Sequence, residues 1–209
     1  MITSILTAVS LLGAACASSV TPVVAAGGCG NIHSYYPYTG TTGYFMVTVS
    51  GCVDASAPDH TCAIEGFRDT VVPSGNDKGY LAIGFRGDLA IVQIMCSDAS
   101  PSAIDACVNF GQQGCEFQSI RVQSDASSGH LMWGLSTPES IPVEYYHHVV
   151  DGKQQEGLFI GAQNVTSWAI KQHAADEYSE VPYWLPRLLG PEQKLEEGEL
   201  KTFLQVNYF

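Results

Sequence analysis

No lysine, arginine, aspartate or glutamate occurs before Asp54, and charged residues make up only 14% of the 209-residue chain. Cations are scarcest: 9 Lys+Arg stand against 21 Asp+Glu, for a net charge of -12 and a pI ≈ 4.7. Nucleic-acid binding needs cations to displace phosphate counterions, so this balance excludes it. It excludes docking on anionic membranes for the same reason. Long hydrophobic runs are lacking as well. The one extended apolar stretch, Ile2 to Ala15, is shorter than the roughly 20 residues needed to span a bilayer.

Catalytic and metal signatures are also missing. The sequence has no G-x-S-x-G, H-E-x-x-H, P-loop or EF-hand loop, and no E-x-D-x-E strand. No C-x-x-C spacing occurs, which argues against zinc. The first histidine is His33, too far in for the N-terminal histidine of secreted copper oxygenases. Asp54, Asp59 and His60 supply too few oxygens for calcium. No metal and no cofactor are expected. With 45% apolar residues the chain is too hydrophobic to be disordered.

The residues present describe a small secreted domain. Ile2 to Ala15 has the length of a secretory apolar region and ends in Ala15-Cys16-Ala17, an A-x-A cleavage site. Residues 1–17 are therefore expected to be a signal peptide, and 18–209 a single domain; a later cut after Ala25 is a second option. Removing the leader removes Cys16 and leaves Cys29, Cys52, Cys62, Cys96, Cys107 and Cys115. An even count in a secreted chain reads as three disulfides. The six fall into two trios, 29/52/62 and 96/107/115. Each trio is odd, so complete pairing forces one or three bridges between them. Any such bridge closes a long loop and stabilises by about 4 kcal/mol in the chain-entropy model. Asn164-Val165-Thr166 is a glycosylation sequon that fits the same compartment.

The full chain holds 21 Gly and 10 Pro among many β-branched and aromatic residues. Strands are predicted at Tyr44 to Val49, Phe117 to Gln123, Val143 to Val149, Gly157 to Ile160, Val165 to Lys171 and Thr202 to Tyr208. Gly79 to Phe85 and Leu89 to Met95 read as a hairpin around Arg86-Gly87-Asp88, a tripeptide that integrin ligands carry but that is also ordinary turn chemistry. One helix is predicted: Ser100 as N-cap, Pro101 at the first position, Gly111 as stop, with Ile104, Cys107 and Val108 on one face. A second helical turn is expected from Pro191 to Glu197. About nine short strands with one or two short helices suggest an all-β, disulfide-linked single β-sandwich of jelly-roll type. A barrel or trefoil stays open, because strand count does not separate them.

Aromatics supply the candidate site. Tyr35, Tyr36 and Tyr38 cluster ahead of the first clear strand and offer flat faces for sugar rings. In Glu144-Tyr145-Tyr146-His147-His148, strand alternation puts Tyr145 and His147 on one face. Tyr145 is a further stacking candidate, with His147 orienting a hydroxyl. Carboxylates are plentiful, but no pair has a spacing diagnostic of glycoside hydrolysis. The expected function is a non-catalytic secreted protein that binds a glycan or a cell-surface partner. The alternatives are a jelly-roll glycoside hydrolase or polysaccharide lyase, and an effector or inhibitor that binds a protein. The secreted protein is expected to begin at Ser18 by N-terminal sequencing and to show no free thiol when titrated denatured. A start at Ala26, or two free thiols, refutes the corresponding expectation.

Overall fold

The computed structural model describes residues 19–54, 62–75, 77–84, 92–98, 103–111, 114–124, 129–136, 138, 140–177 and 179–208. The expected leader, the Arg86-Gly87-Asp88 tripeptide, Asp59, His60, Ser100 and Pro101 lie outside these residues. The strands are β1 (Val20–Val24), β2 (Tyr35–Tyr36), β3 (Thr41–Thr42), β4 (Phe45–Val53), β5 (Arg68–Pro73) and β6 (Gly79–Gly84). They continue as β7 (Ile94–Ser97), β8 (Ala103–Gly111), β9 (Gly114–Gln123), β10 (Leu131–Trp133), β11 (Ser140–Pro142) and β12 (Glu144–Val150). The last are β13 (Lys153–Gln154), β14 (Leu158–Gly161), β15 (Ser167–His173), β16 (Tyr183–Leu188) and β17 (Glu199–Tyr208). The described residues include a 3-10 turn, Gly28–Asn31, and among them no helix is long and apolar enough to cross a membrane.

The architecture is all-β, as composition suggested, but the strands form one hydrogen-bonded sheet rather than two separate layers. Antiparallel pairings run β17, β4, β7, β8, β9, β10, β6, β16, β15 and back to β17, a closed nine-strand circuit. The barrel alternative therefore describes the pairing better than a jelly-roll sandwich. Closure satisfies strand edges that a sandwich leaves exposed. β5 pairs with both β4 and β6 and divides the circuit. The core is a continuous apolar cluster that includes Phe45, Val47, Ile94, Ile120, Ile160, Trp168 and Leu204.

Two local expectations are corrected. Residues 103–111 form a strand, not a helix. Ile104 and Ala106 are buried by ordinary alternation, and a register shift between Cys107 and Asn109 marks a bulge. Cys107, bridged to Cys115, is buried as well, so burial at 104 and 107 reproduces the i, i+3 spacing that suggests a helix. The supposed hairpin across residues 86–88 is not found either: among the described residues β6 and β7 do not pair with each other, and both have other partners. β6 lies between β5 and β10/β16, whereas β7 pairs with β8, β3 and β4. Residues 191–197 form turns and irregular chain instead of a helical turn.

The cysteines pair as Cys29–Cys96, Cys52–Cys62 and Cys107–Cys115. One bridge crosses between the trios, the smaller of the two numbers parity allows. Its 67-residue separation corresponds to about 4 kcal/mol of chain entropy, against about 2.5 for each short loop. Cys29 and Cys96 are both fully buried, so this bridge ties the N-terminal segment into the core.

Asp69 marks the fork in the sheet. On one edge of β4, Phe45 pairs with β7, and the Val49 N–H donates to Phe67 O at 2.9 Å. Between them the Val47 N–H donates to Asp69 Oδ1 at 2.5 Å. The side chain replaces a strand partner where β7 gives way to β5. Asp69 is 2% exposed, and its Oδ2 has no hydrogen-bond partner among the described residues. Burial pushes its pKa from 3.8 up to about 7, against the opposing pull of the Val47 N–H. The folded state thus holds this proton more tightly than the unfolded chain does. Its contribution is complete below pH 3.8 and is lost as pH rises through about 7. The full difference is about 4 kcal/mol. Asp69→Asn keeps an oxygen for Val47 and removes the charge. Its advantage over wild type in urea unfolding is expected to grow from pH 4 to pH 8; a constant difference refutes the assignment.

Candidate functional site

β12 presents two different faces. On the outer one, the His148 ring stacks on Phe159 at 3.6 Å and meets Phe203 edge-on at 4.6 Å. Its Nε2 shares a 2.9 Å hydrogen bond with Thr166 Oγ1, and burial lowers its pKa to about 4. The Tyr146 hydroxyl donates to Glu144 Oε2 at 2.5 Å and accepts from the Asn164 N–H at 2.8 Å. Glu144 Oε2 also accepts from the Gln163 N–H at 3.2 Å. These bonds pin the turn between β14 and β15, so this face is structural.

The inner face carries Tyr145 and His147 together, as alternation requires. Tyr145 pairs with Ile160 and meets Phe45 edge-to-face at 6.4 Å. It is only 4% exposed, which corrects its assignment as an accessible stacking ring. Burial pushes its hydroxyl pKa well above the usual value, and the oxygen has no hydrogen-bond partner among the described residues. His147 lies two residues nearer the rim. It pairs with Val23 of β1 on one side, and the same register brings Leu158 beside it on the other. Leu158 pairs with Val206, and Val206 with Val47. His147 therefore stands where the core-facing row reaches the surface. It is half-buried, and its Nδ1 has no hydrogen-bond partner among the described residues.

A hollow of about 380 Å³ opens there, walled by His33, His147, Tyr208, Ile32, Leu158 and Val206, with Gly30 and Gly157 at its rim. The His33 N–H donates to the Tyr208 hydroxyl at 3.3 Å, and the two rings meet edge-on at 5.4 Å. Among the described residues, no carboxylate side chain lines the hollow.

The N-terminal tyrosines lie nearby. β2 and β3 pair as a short hairpin, and the Gly43 N–H donates to Ser34 O at 2.9 Å. Tyr44 follows, and its neighbour Phe45 pairs with Tyr208. The hairpin, the entry to β4 and the exit from β17 thus meet at one end of the barrel. Tyr35 is half-buried there, and its hydroxyl donates to the Asp98 carboxylate, which raises the phenol pKa. Tyr36 is 55% exposed and Tyr38 is fully exposed. Tyr44, 47% exposed, stacks on Phe117 at 5.9 Å, and Tyr208 is 40% exposed.

Of the residues singled out in the sequence, Tyr36 and Tyr38 stand exposed at this end, Tyr35 is tied down, His147 borders the hollow, and Tyr145 lies in the core. His33, Tyr44 and Tyr208 were not singled out. Alternation placed Tyr208 on the face of Leu204 and Val206, but no local signal brings His33 to it across 175 residues. No protein-family model matches the chain, and a search of the curated proteins finds no match.

Tyr145→Phe removes a buried hydroxyl without a partner among the described residues. The variant is expected to be as stable as wild type or up to about 1–3 kcal/mol more stable by chemical denaturation. A loss above about 1 kcal/mol refutes this and gives the hydroxyl a hidden partner.

Proposed function

We propose that this is a secreted protein that binds glycan without cleaving it, through the tyrosine-rich end of its barrel. The observation that carries the reading is the exposure of Tyr36, Tyr38, Tyr44 and Tyr208 at one end of the barrel, where Tyr208 also lines a hollow with His33 and His147. Flat aromatic faces suit the axial C–H faces of sugar rings, and phenol and imidazole groups hydrogen-bond hydroxyls. Stacking desolvates apolar surface, whereas polar contacts largely trade with water, so the tyrosines should carry most of the affinity.

Secretion draws support from the A-x-A leader and from three disulfides, which persist in oxidising compartments. The sequon fits too. Gln163 and Asn164 have φ of 53° and 61°, the left-handed conformation of a two-residue hairpin turn. Asn164 is exposed at that tip, and its backbone N–H is already held by Tyr146. Its side-chain amide is thus presented to solvent for glycan attachment.

Pull-down on insoluble polysaccharides followed by calorimetry tests the reading. Tyr36→Ala and Tyr38→Ala are each expected to weaken binding by about 1–3 kcal/mol. Folding should change by no more than about 0.5 kcal/mol, since both rings are exposed. Absence of glycan binding, or variants that bind like wild type, refutes the proposal. Release of soluble sugars or unsaturated products replaces it with a carbohydrate-active enzyme.

A further inference from the structure

The uncharged start of the chain becomes a surface in the fold. Residues 19–53 contain no Asp, Glu, Lys or Arg, so the whole net charge of -12 is carried by later residues. This segment supplies β1, the Gly28–Asn31 turn, the β2–β3 hairpin and β4. Its exposed large side chains include Val23, Val24, Tyr36, Tyr38 and Tyr44. The path of the chain links them. Val23 lies opposite His147, and the Ala25 N–H donates to Tyr145 O at 2.8 Å. The chain then passes Gly30 and His33 at the hollow and enters the tyrosine hairpin.

Three carboxylates along the border are held by the protein itself, while Glu156, next to Gly157 at the rim, is exposed and adds to the acidic field. Asp98 accepts from Tyr35, Glu65 accepts from the Gly51 and Cys52 N–H groups at 3.0 and 2.9 Å, and Glu144 accepts from Tyr146 and Gln163. The segment offers no lysine or arginine to pair with a uronate or sulfate, and the field of a strongly acidic protein repels polyanions. Apolar strand surface and phenol rings meet a neutral sugar chain without desolvating an ion on either side.

We infer that the glycan taken by this surface is an uncharged polysaccharide. The inference rests on the glycan-binding reading and narrows its ligand class. The test measures depletion of the full-length secreted protein by cellulose, chitin, a β-1,3-glucan, cross-linked polygalacturonate and chitosan. Each is assayed at about 0.02 M and about 0.5 M NaCl, a range over which the Debye length falls from about 20 Å to about 4 Å. At least one neutral polymer should be retained, with affinity changing less than about twofold across that range. Polygalacturonate should be held at least about tenfold more weakly. Preference for polygalacturonate, or salt-sensitive retention on chitosan alone, overturns the inference. In that event, loss of binding in Tyr36→Ala and Tyr38→Ala shows that the glycan-binding reading survives and only the ligand class is wrong. Retention on none of the polymers refutes both.

Discussion

The register of β17 against β4 is the constraint on which the other features depend. These strands pair from Lys201 opposite Val53 to Tyr208 opposite Phe45, with one irregularity between Lys201 and Phe203. The pairing joins the last strand to the first long one and closes the circuit. On its other edge, β17 holds β15 along one half and β14 along the other. Closing a loop of this length costs entropy that grows only logarithmically with length. Burial of Phe45, Val47, Val49, Leu204 and Val206 offsets it. A slip of one residue would turn Val206 outward and carry Tyr208 away from the hollow. The site is therefore a consequence of barrel closure.

Charge is distributed in keeping with that geometry. A buried ion pair lies outside the N-terminal segment, where Arg187 grips Glu199 through Nε–Oε1 at 3.0 Å and Nη2–Oε2 at 2.7 Å. Arg187 also donates to Gln193 Oε1 and Lys194 O, tying the irregular segment before β17 to β16. A buried pair costs desolvation, and the extra hydrogen bonds limit that cost. Asp69 is a different solution, a lone carboxyl that closes a gap in a strand edge and stays protonated to near-neutral pH. The tyrosine end needs neither device. Its hairpin and turn are held by backbone bonds and by the Cys29–Cys96 bridge.

Much of the fold was legible because it is local or arithmetical. Alternation in Phe117–Gln123, Val143–Val149 and Thr202–Tyr208 marks β9, β12 and β17, since a half-buried strand repeats every two residues. Odd trios of cysteine, once all six are paired, required a bridge between them whatever the fold. Misreadings came where local pattern and strand pairing diverged. Burial at both 104 and 107 made a strand look helical, and β6 and β7, adjacent in sequence, belong to different parts of the circuit.

The chain by itself determined that the protein is acidic, β-rich and, once its six cysteines pair, bridged between its two cysteine trios, and that its first fifty-three residues carry no charged side chain. These follow from composition, parity and two-residue periodicity, which need no knowledge of distant neighbours. Only the tertiary structure decided that Tyr145 is core while Tyr38 is surface, although both are tyrosines beside other aromatics. Only it brought His33 to Tyr208 and set His147 at the rim. Exposure and proximity arise from which strands pair and in what register. That pairing is fixed by the burial of the whole core at once, so no window of sequence around Tyr145 or His33 contains it.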